Sequence, residues 1–279
     1  MNKPQNPDDL MPAIADVQAR HDDRNLAIDQ VGIRGLRYPL SFIDADGVAR
    51  PTVASCDVTV ALPATQKGTH MSRLVALLED ALAPHAEPLS VANFHRLVDD
   101  LVQRLEAPAG RVSFAFPFFV RKRAPVSGVA SLLDYEVRIT GERLPARDGV
   151  PGSYRQTLEV VAPVTSLCPC SKEISEYGAH SQRSAIRIIA VPQAPLFVAE
   201  LLRIAEDEAS AELYGILKRV DEKYVTERAY DNPRFVEDLV RNVAGRLGED
   251  ARIAAFAVEA ENFESIHNHS AFARIARGM

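Results

Sequence analysis

SFIDADGVARPTVASCDVTVAL, residues 41–62, reads as a strand, a turn and a second strand. Asp46-Gly47 is the turn signal, because glycine takes a left-handed backbone without strain and Asp tolerates a turn. Beyond it Val58 and Val60 alternate with Asp57 and Thr59, the period of a half-buried strand. The pattern predicts strands over 33–44 and 51–62. A helix is expected over 71–83, with Leu74, Val75, Leu77, Leu78, Ala81 and Leu82 on one stripe and Pro84 ending it. Ser90 opens a second helix carrying Phe94, Leu97, Val98, Leu101 and Leu105. Strands over 111–122 and 129–142 follow, and Pro117 marks the first of them as an edge or a bulge.

After the Pro- and Gly-rich stretch LPARDGVPGS (144–153) the order repeats. Strands are expected over 154–165 and 184–191, and helices from Pro195 and from Pro233, the latter behind Asp231-Asn232. The last strands are expected over 252–263 and 270–277. The chain therefore reads as ββααββ twice: an α+β protein with antiparallel sheets and helices on one face. The expected divisions are a flexible polar segment over 1–25, a first unit over 26–145 and a second over 146–279.

Composition bounds the function. The 279 residues are 47% hydrophobic and 25% charged, which fits about two globular domains and excludes disorder or a fibre. A net charge of −6 argues against a nucleic-acid partner. The uncharged stretch Ile188 to Ala199 is broken by Pro192 and Pro195 and is too short to span a membrane. No secretory signal is read at the N-terminus. The three cysteines, Cys56, Cys168 and Cys170, do not make a disulfide framework, so the expected compartment is the cytoplasm.

The densest chemical signal is SLCPCSKEISEYGAHSQRS, residues 166–184. Cys168 and Cys170 point the same way if the backbone there is extended, and His180 follows across a loop. Thiolate and imidazole suit a borderline divalent metal. Four-cysteine closure is impossible; Cys56 is at most a third sulfur ligand. His267 and His269 flank Asn268, a pattern that suits a metal ligand plus a proton carrier. Glu222, in what reads as a linker, and Glu237, on the flank of the last helix, are carboxylates that on their own read as solvated. THMSR (69–73) opens the first helix. With Thr69 as cap, its free N–H groups and Arg73 make an anion site. Arg183 and Lys172 are further candidate phosphate contacts. Each residue taken singly also has an ordinary structural explanation.

Taken together, VTSLCPCSKEIS (164–175), GAHSQRS (178–184), KGTHMSR (67–73), LKRVDEKYVTERAYDNPRFVEDLVR (217–241) and ESIHNHSAF (264–272) resemble GTP cyclohydrolase of type IB. Serine stands at 181 where the family pattern has asparagine. The resemblance implies two tandem tunnelling-fold units, closing into barrels on oligomerisation, with a homotetramer as the expected assembly and active sites at interfaces. It implies a hydrolase on cyclic amidines that turns GTP into formate and 7,8-dihydroneopterin triphosphate, the entry to folate. Cys168, His180, Glu222 and His267 are the implied metal ligands, for zinc, manganese or iron, with no organic cofactor. Cys168, Cys170, His267 and His269 are the implied catalytic residues; His267 and His269 are not told apart as ligand or proton carrier. Glu237, Arg183, Lys172, His70 and Arg73 are the implied substrate contacts. Two other readings compete: a tunnelling-fold nitrile reductase with Cys168 as nucleophile, and a non-enzymatic redox or metal-binding protein.

Overall fold

The computed structural model describes residues 18, 20–146 and 152–279. Most of the 1–25 segment, and residues 147–151 of the expected boundary loop, lie outside the described residues. Alternating side chains make β1 (Ile28–Ile43) and β2 (Ala49–Leu62) an antiparallel hairpin. Gly47 takes φ 70° at its turn, as Asp46-Gly47 predicts. Ala54, Cys56, Val58 and Val60 of β2 face the core. Then come α1 (Met71–Ala81), α2 (Phe94–Arg104), β3 (Gly110–Arg123) and β4 (Ala130–Arg143). Ser90 and Asn93 cap each other's backbone before α2, at 3.1 and 2.7 Å.

The second unit holds β5 (Tyr154–Leu167), α3 (Pro169–Ile174), β6 (Ser181–Pro192), α4 (Val198–Glu208), β7 (Ala211–Glu212), α5 (Arg219–Asp231), α6 (Val236–Glu249), β8 (Ile253–Asn262) and β9 (Ala271–Arg277). It is again ββααββ, with α3, β7 and α5 added. The stretch 219–231 is thus a helix and not the linker the sequence suggested. Only Asp221 and Ala229 of α5 are buried, so the helix has no apolar stripe to betray it.

All neighbours in the sheet, β1-β2-β3-β4-β5-β6-β8-β9, are antiparallel, and β7 pairs with β5. Pairing of β4 with β5 joins the two units into one nine-stranded sheet. Among the described residues the sheet does not close on itself, so β1 and β9 are its terminal strands. Pro117 lies within β3, yet it behaves as an edge residue. The β2 ladder stops at Ser55–Ala115, and the Pro117 carbonyl takes the Thr52 hydroxyl at 2.9 Å. A residue's N–H and C=O point to the same neighbour, so the missing N–H would have faced the side where no ladder runs.

Buried side chains of α1, α2, α4 and α6 join the inward rows of both units in one core. Gly141 on β4 makes room for α2: a Cβ there would stand 2.7 Å from Tyr154 Oη and 2.8 Å from Val98 Cγ2. The other face is charged. Arg187 bridges Glu159 and Glu259 at 2.9 and 3.0 Å, and Arg274 reaches Glu259 at 3.1 Å. In the second unit the inward rows turn polar at one end: Ser166, Gln182, Ser184 and Asn262 are all buried there. That end carries the candidate site.

One side chain ties the units through a helix terminus. Asp44, just past β1, accepts from Val198 N and Ala199 N at 3.0 and 2.9 Å. These are first-turn amides of α4 with no partner inside the helix. Asp44→Ala is expected to lower the unfolding free energy by about 1–2 kcal/mol, read by denaturant melts, with Asp44→Asn recovering part of the loss. Unchanged stability would contradict this cap.

Candidate active site

Cys168 stands where β5 ends, as N-cap of α3, with Pro169 in the first turn. Its sulfur accepts from Ser171 N at 3.5 Å, and its own N–H donates to His180 O at 3.1 Å. Ser171 Oγ donates to Cys168 O and accepts from His180 N, at 3.1 and 3.2 Å. One serine thus ties the backbones of Cys168 and His180 together. Because residue 169 onward is helical, Cys170 does not share the direction of Cys168. It lies exposed while Cys168 is half-buried.

His180 Nδ1 lies 2.8 Å from Gln182 Oε1. An amide oxygen only accepts, so Nδ1 is the donor of this bond, which in the neutral ring leaves Nε2 with the lone pair a metal takes. Gln182 is held by Ser166 Oγ at 2.9 Å, and Ser166 by Ser184 Oγ at 2.7 Å. Glu264 Oε2 stands 3.8 Å from the same Nδ1 and Ser265 Oγ 3.5 Å. Neither Gln182 nor Glu264 was singled out in the sequence. Gln182 had a signal, since residues two apart on a strand share a face; Glu264 had none.

Around this pair the other candidates fall into place or away. Leu167, Ala211 and Ala229 form a small core against Ala179 and Val225, which seats α5 beside the loop leading to His180. Glu222, Val225 and Ala229 follow helical spacing on one face of α5, so Glu222 lies one turn beyond that contact, exposed. Arg234 N donates to Leu167 O at 3.0 Å. This puts the start of α6, and exposed Glu237 in its first turn, beside the end of β5. Lys172 Nζ reaches Tyr230 O at 2.5 Å and sits 4.3 Å over that ring. His267 and His269, exposed in the β8–β9 loop, stack at 5.1 Å between centroids. Arg183 follows Gln182 on the opposite, outward face of β6 and is exposed.

Two groups stand elsewhere. Cys56 is fully buried under the first unit, and burial pushes its thiol up to about 12; it is no ligand to this site. His70, not Thr69, is the N-cap of α1; Thr69 is buried. His70 and Arg73 belong to α1, which packs over β1, and β1 is four strand steps from β5, roughly 19 Å. One chain does not bring them to Cys168. Among the described residues no three His, Cys, Asp or Glu side chains gather closely enough to hold an ion. A three-ligand centre on Cys168 and His180 therefore needs Glu222 or a loop histidine to swing in, or a donor from a second copy. In metal-free native protein at pH 8, iodoacetamide is expected to alkylate Cys168 and Cys170 and to spare Cys56, read by peptide mass spectrometry; alkylation of all three at similar rates would contradict the placement.

The family model described as type I GTP cyclohydrolase folE2 matches residues 14–273. The chain belongs to the type I GTP cyclohydrolase FolE2 family. Proteins named GTP cyclohydrolase FolE2 from Ralstonia nicotianae and Burkholderia multivorans are 57% and 56% identical over 272 residues, covering 98% of this chain and 96% of theirs. The FolE2 protein of Neisseria gonorrhoeae is 55% identical over 266 residues, 95% of this chain and 99% of its own. Among solved structures, urate oxidase from Bacillus sp. TB-90 superposes with TM-score 0.54 at 8% identity, covering 90% of this chain and 99% of that one. Urate oxidase from Bacillus subtilis 168 gives 0.51 at 9%, covering 89% and 98%. That likeness is one of fold, the tandem tunnelling-fold arrangement. No helix among the described residues is long and apolar enough to cross a membrane.

Proposed function

We propose that this FolE2-family chain is a GTP cyclohydrolase I. It takes GTP and water to formate and 7,8-dihydroneopterin triphosphate, at a divalent zinc, manganese or iron centre and without an organic cofactor. The observation that carries this is the FolE2 match over nearly the whole chain, with Cys168 and His180 held side by side within it. The thiol and the imidazole with its free Nε2 fit such a metal, and Glu222 adds the carboxylate that makes manganese credible. When bound, the metal supplies a Lewis acid that makes water a nucleophile near neutral pH.

The chain's own residues do the rest. Gln182 keeps His180 in the ligating tautomer. Glu237, at the mouth beside Leu167, accepts the guanine amino and ring N–H and turns C8 toward Cys168 and His180. His267 and His269, in the loop that Glu264 ties to His180, supply the remaining ligand and the proton carrier for ring opening and reclosure. Cys170, exposed on α3, is a second acid–base candidate. Arg183 and Lys172 flank the opening as cationic contacts for the triphosphate, Lys172 once it leaves Tyr230. His70 and Arg73 of a second copy complete the phosphate site.

The assembly is a homotetramer in the cytoplasm, with 1–25 as a lead-in and units over 26–145 and 146–279. Large apolar side chains stand exposed around the site: Ile174, Tyr177, Phe235, Phe263, Ile266 and Phe272. A soluble chain gathers such side chains where another surface covers them. The reading is tested by incubating the protein with GTP and measuring formate and, after oxidation, fluorescent pterin; equal yields are expected, and formate without pterin would mean a different product. A composite site has its own test. Arg73→Ala and Cys168→Ala proteins, each inactive alone, are expected to regain turnover when dissociated and reassembled together. Activity staying at the level of the separate variants would show that both residues serve the same chain's site.

A further inference from the structure

We infer that Asp221 is the positioning residue for Glu222, and that through it the first unit's β3–β4 turn aims the carboxylate of the second unit's metal site. The inference rests on Glu222 being a ligand, as proposed above. Asp221 is fully buried, and every contact of its carboxylate is with a donor. Oδ1 accepts from Val126 N and Ser127 N at 2.9 and 2.8 Å; Oδ2 accepts from Ser127 Oγ at 2.6 Å and from Lys218 N at 2.9 Å. Lys218 is the N-cap of α5, so the carboxylate closes the helix's own first turn and bolts that turn to the neighbouring unit.

The rest of α5 explains why this matters. Its C-terminal half is held by Val225 and Ala229 in the small core and by Lys172 on Tyr230 O. In its N-terminal half the apolar side chains Val220 and Tyr224 are exposed. The approach to the helix follows the same hairpin, with Ile216 N on Ser131 Oγ at 3.2 Å. At Gly215 a Cβ would stand 2.7 Å from Leu132 O. Glu222 is the next residue along from Asp221. Among the described residues, Asp221 is the one buried side chain of the turn that presents Glu222.

The test is a double-mutant cycle on Mn²⁺ affinity, with the metal-stripped full-length oligomer titrated and free Mn²⁺ read by its paramagnetic resonance signal. Asp221→Asn is expected to weaken binding by about 10–100-fold, the usual effect of losing an outer-shell partner. Glu222→Gln is expected to weaken it at least as much, and the double variant no further than Glu222→Gln alone. Full loss from Asp221→Asn in the Glu222→Gln background would overturn the inference, as would an unchanged affinity in Asp221→Asn while Glu222→Gln loses it; the ligand set would stand in both cases. If Glu222→Gln leaves affinity unchanged, the ligand assignment falls and the inference with it. Should Asp221→Asn not fold, Ser127→Ala removes one donor and is expected to weaken binding a few-fold, again only when Glu222 is present; no effect there would overturn the inference.

Discussion

Cys168→Ala is expected to abolish turnover, with the rate down on the order of 10³-fold or more, because in the proposed site the thiol is a metal ligand and the nucleophile depends on that ion. The variant should keep its fold. Cys168 is half-buried at a strand end, and among the described residues its sulfur's hydrogen-bond partner is Ser171 N at 3.5 Å. The expected signature is loss of bound metal and loss of formate release together, with circular dichroism and oligomer size unchanged. His180→Ala should show the same coupled loss. That coupling separates a ligand from a nucleophile, which on removal would end turnover and leave metal content alone. A Cys168→Ala protein that still released formate at a tenth of the parent rate would refute the assignment.

Glu237→Gln carries the second large effect, and it is of another kind. Glu237 is exposed in the first turn of α6; among the described residues no hydrogen bond depends on its side chain, so stability should hardly move. The guanine edge offers an amino group and a ring N–H, and a carboxylate accepts both. Hydrogen bonds to a charged group contribute about 1.5–3 kcal/mol each. Replacing one oxygen by an amide donor removes one of these bonds and should therefore lower kcat/KM by about 10–10²-fold. Metal content should stay at the parent level, which is where this variant parts from Cys168→Ala. Unimpaired kcat/KM in steady-state assays would remove Glu237 from the substrate site.

Much of the architecture could be read because it is written in periodicities. Val58 and Val60 against Asp57 and Thr59, and the stripes of α1, α2, α4 and α6, each reported the face that meets the core. What could not be read lacks such a face. α5 buries only Asp221 and Ala229, so 219–231 looked like a polar linker. Cys168 and Cys170 would share a direction only on an extended backbone, but proline suits the first turn of a helix as well as a strand end, and α3 turned Cys170 away. Residue types suggested a Cys168–His180 pairing, and the structure joins the two backbones, Cys168 N to His180 O. Its support, Gln182 and Glu264 on His180 Nδ1, came from strand register and from a loop return, and only the former is local. The placement of His70 and Arg73 four strands from β5 is a property of sheet order, which no motif spacing contains.

The most direct test of the central claim is metal add-back. The protein is stripped with chelator and returned to Mn²⁺, Zn²⁺ or, without air, Fe²⁺. Formate and pterin are then measured from GTP. The account predicts no product from the stripped protein, equimolar formate and pterin on add-back of at least one of these ions, and renewed loss on fresh chelator. Undiminished turnover by metal-free protein, or none with any ion in a well-folded oligomer, would contradict it.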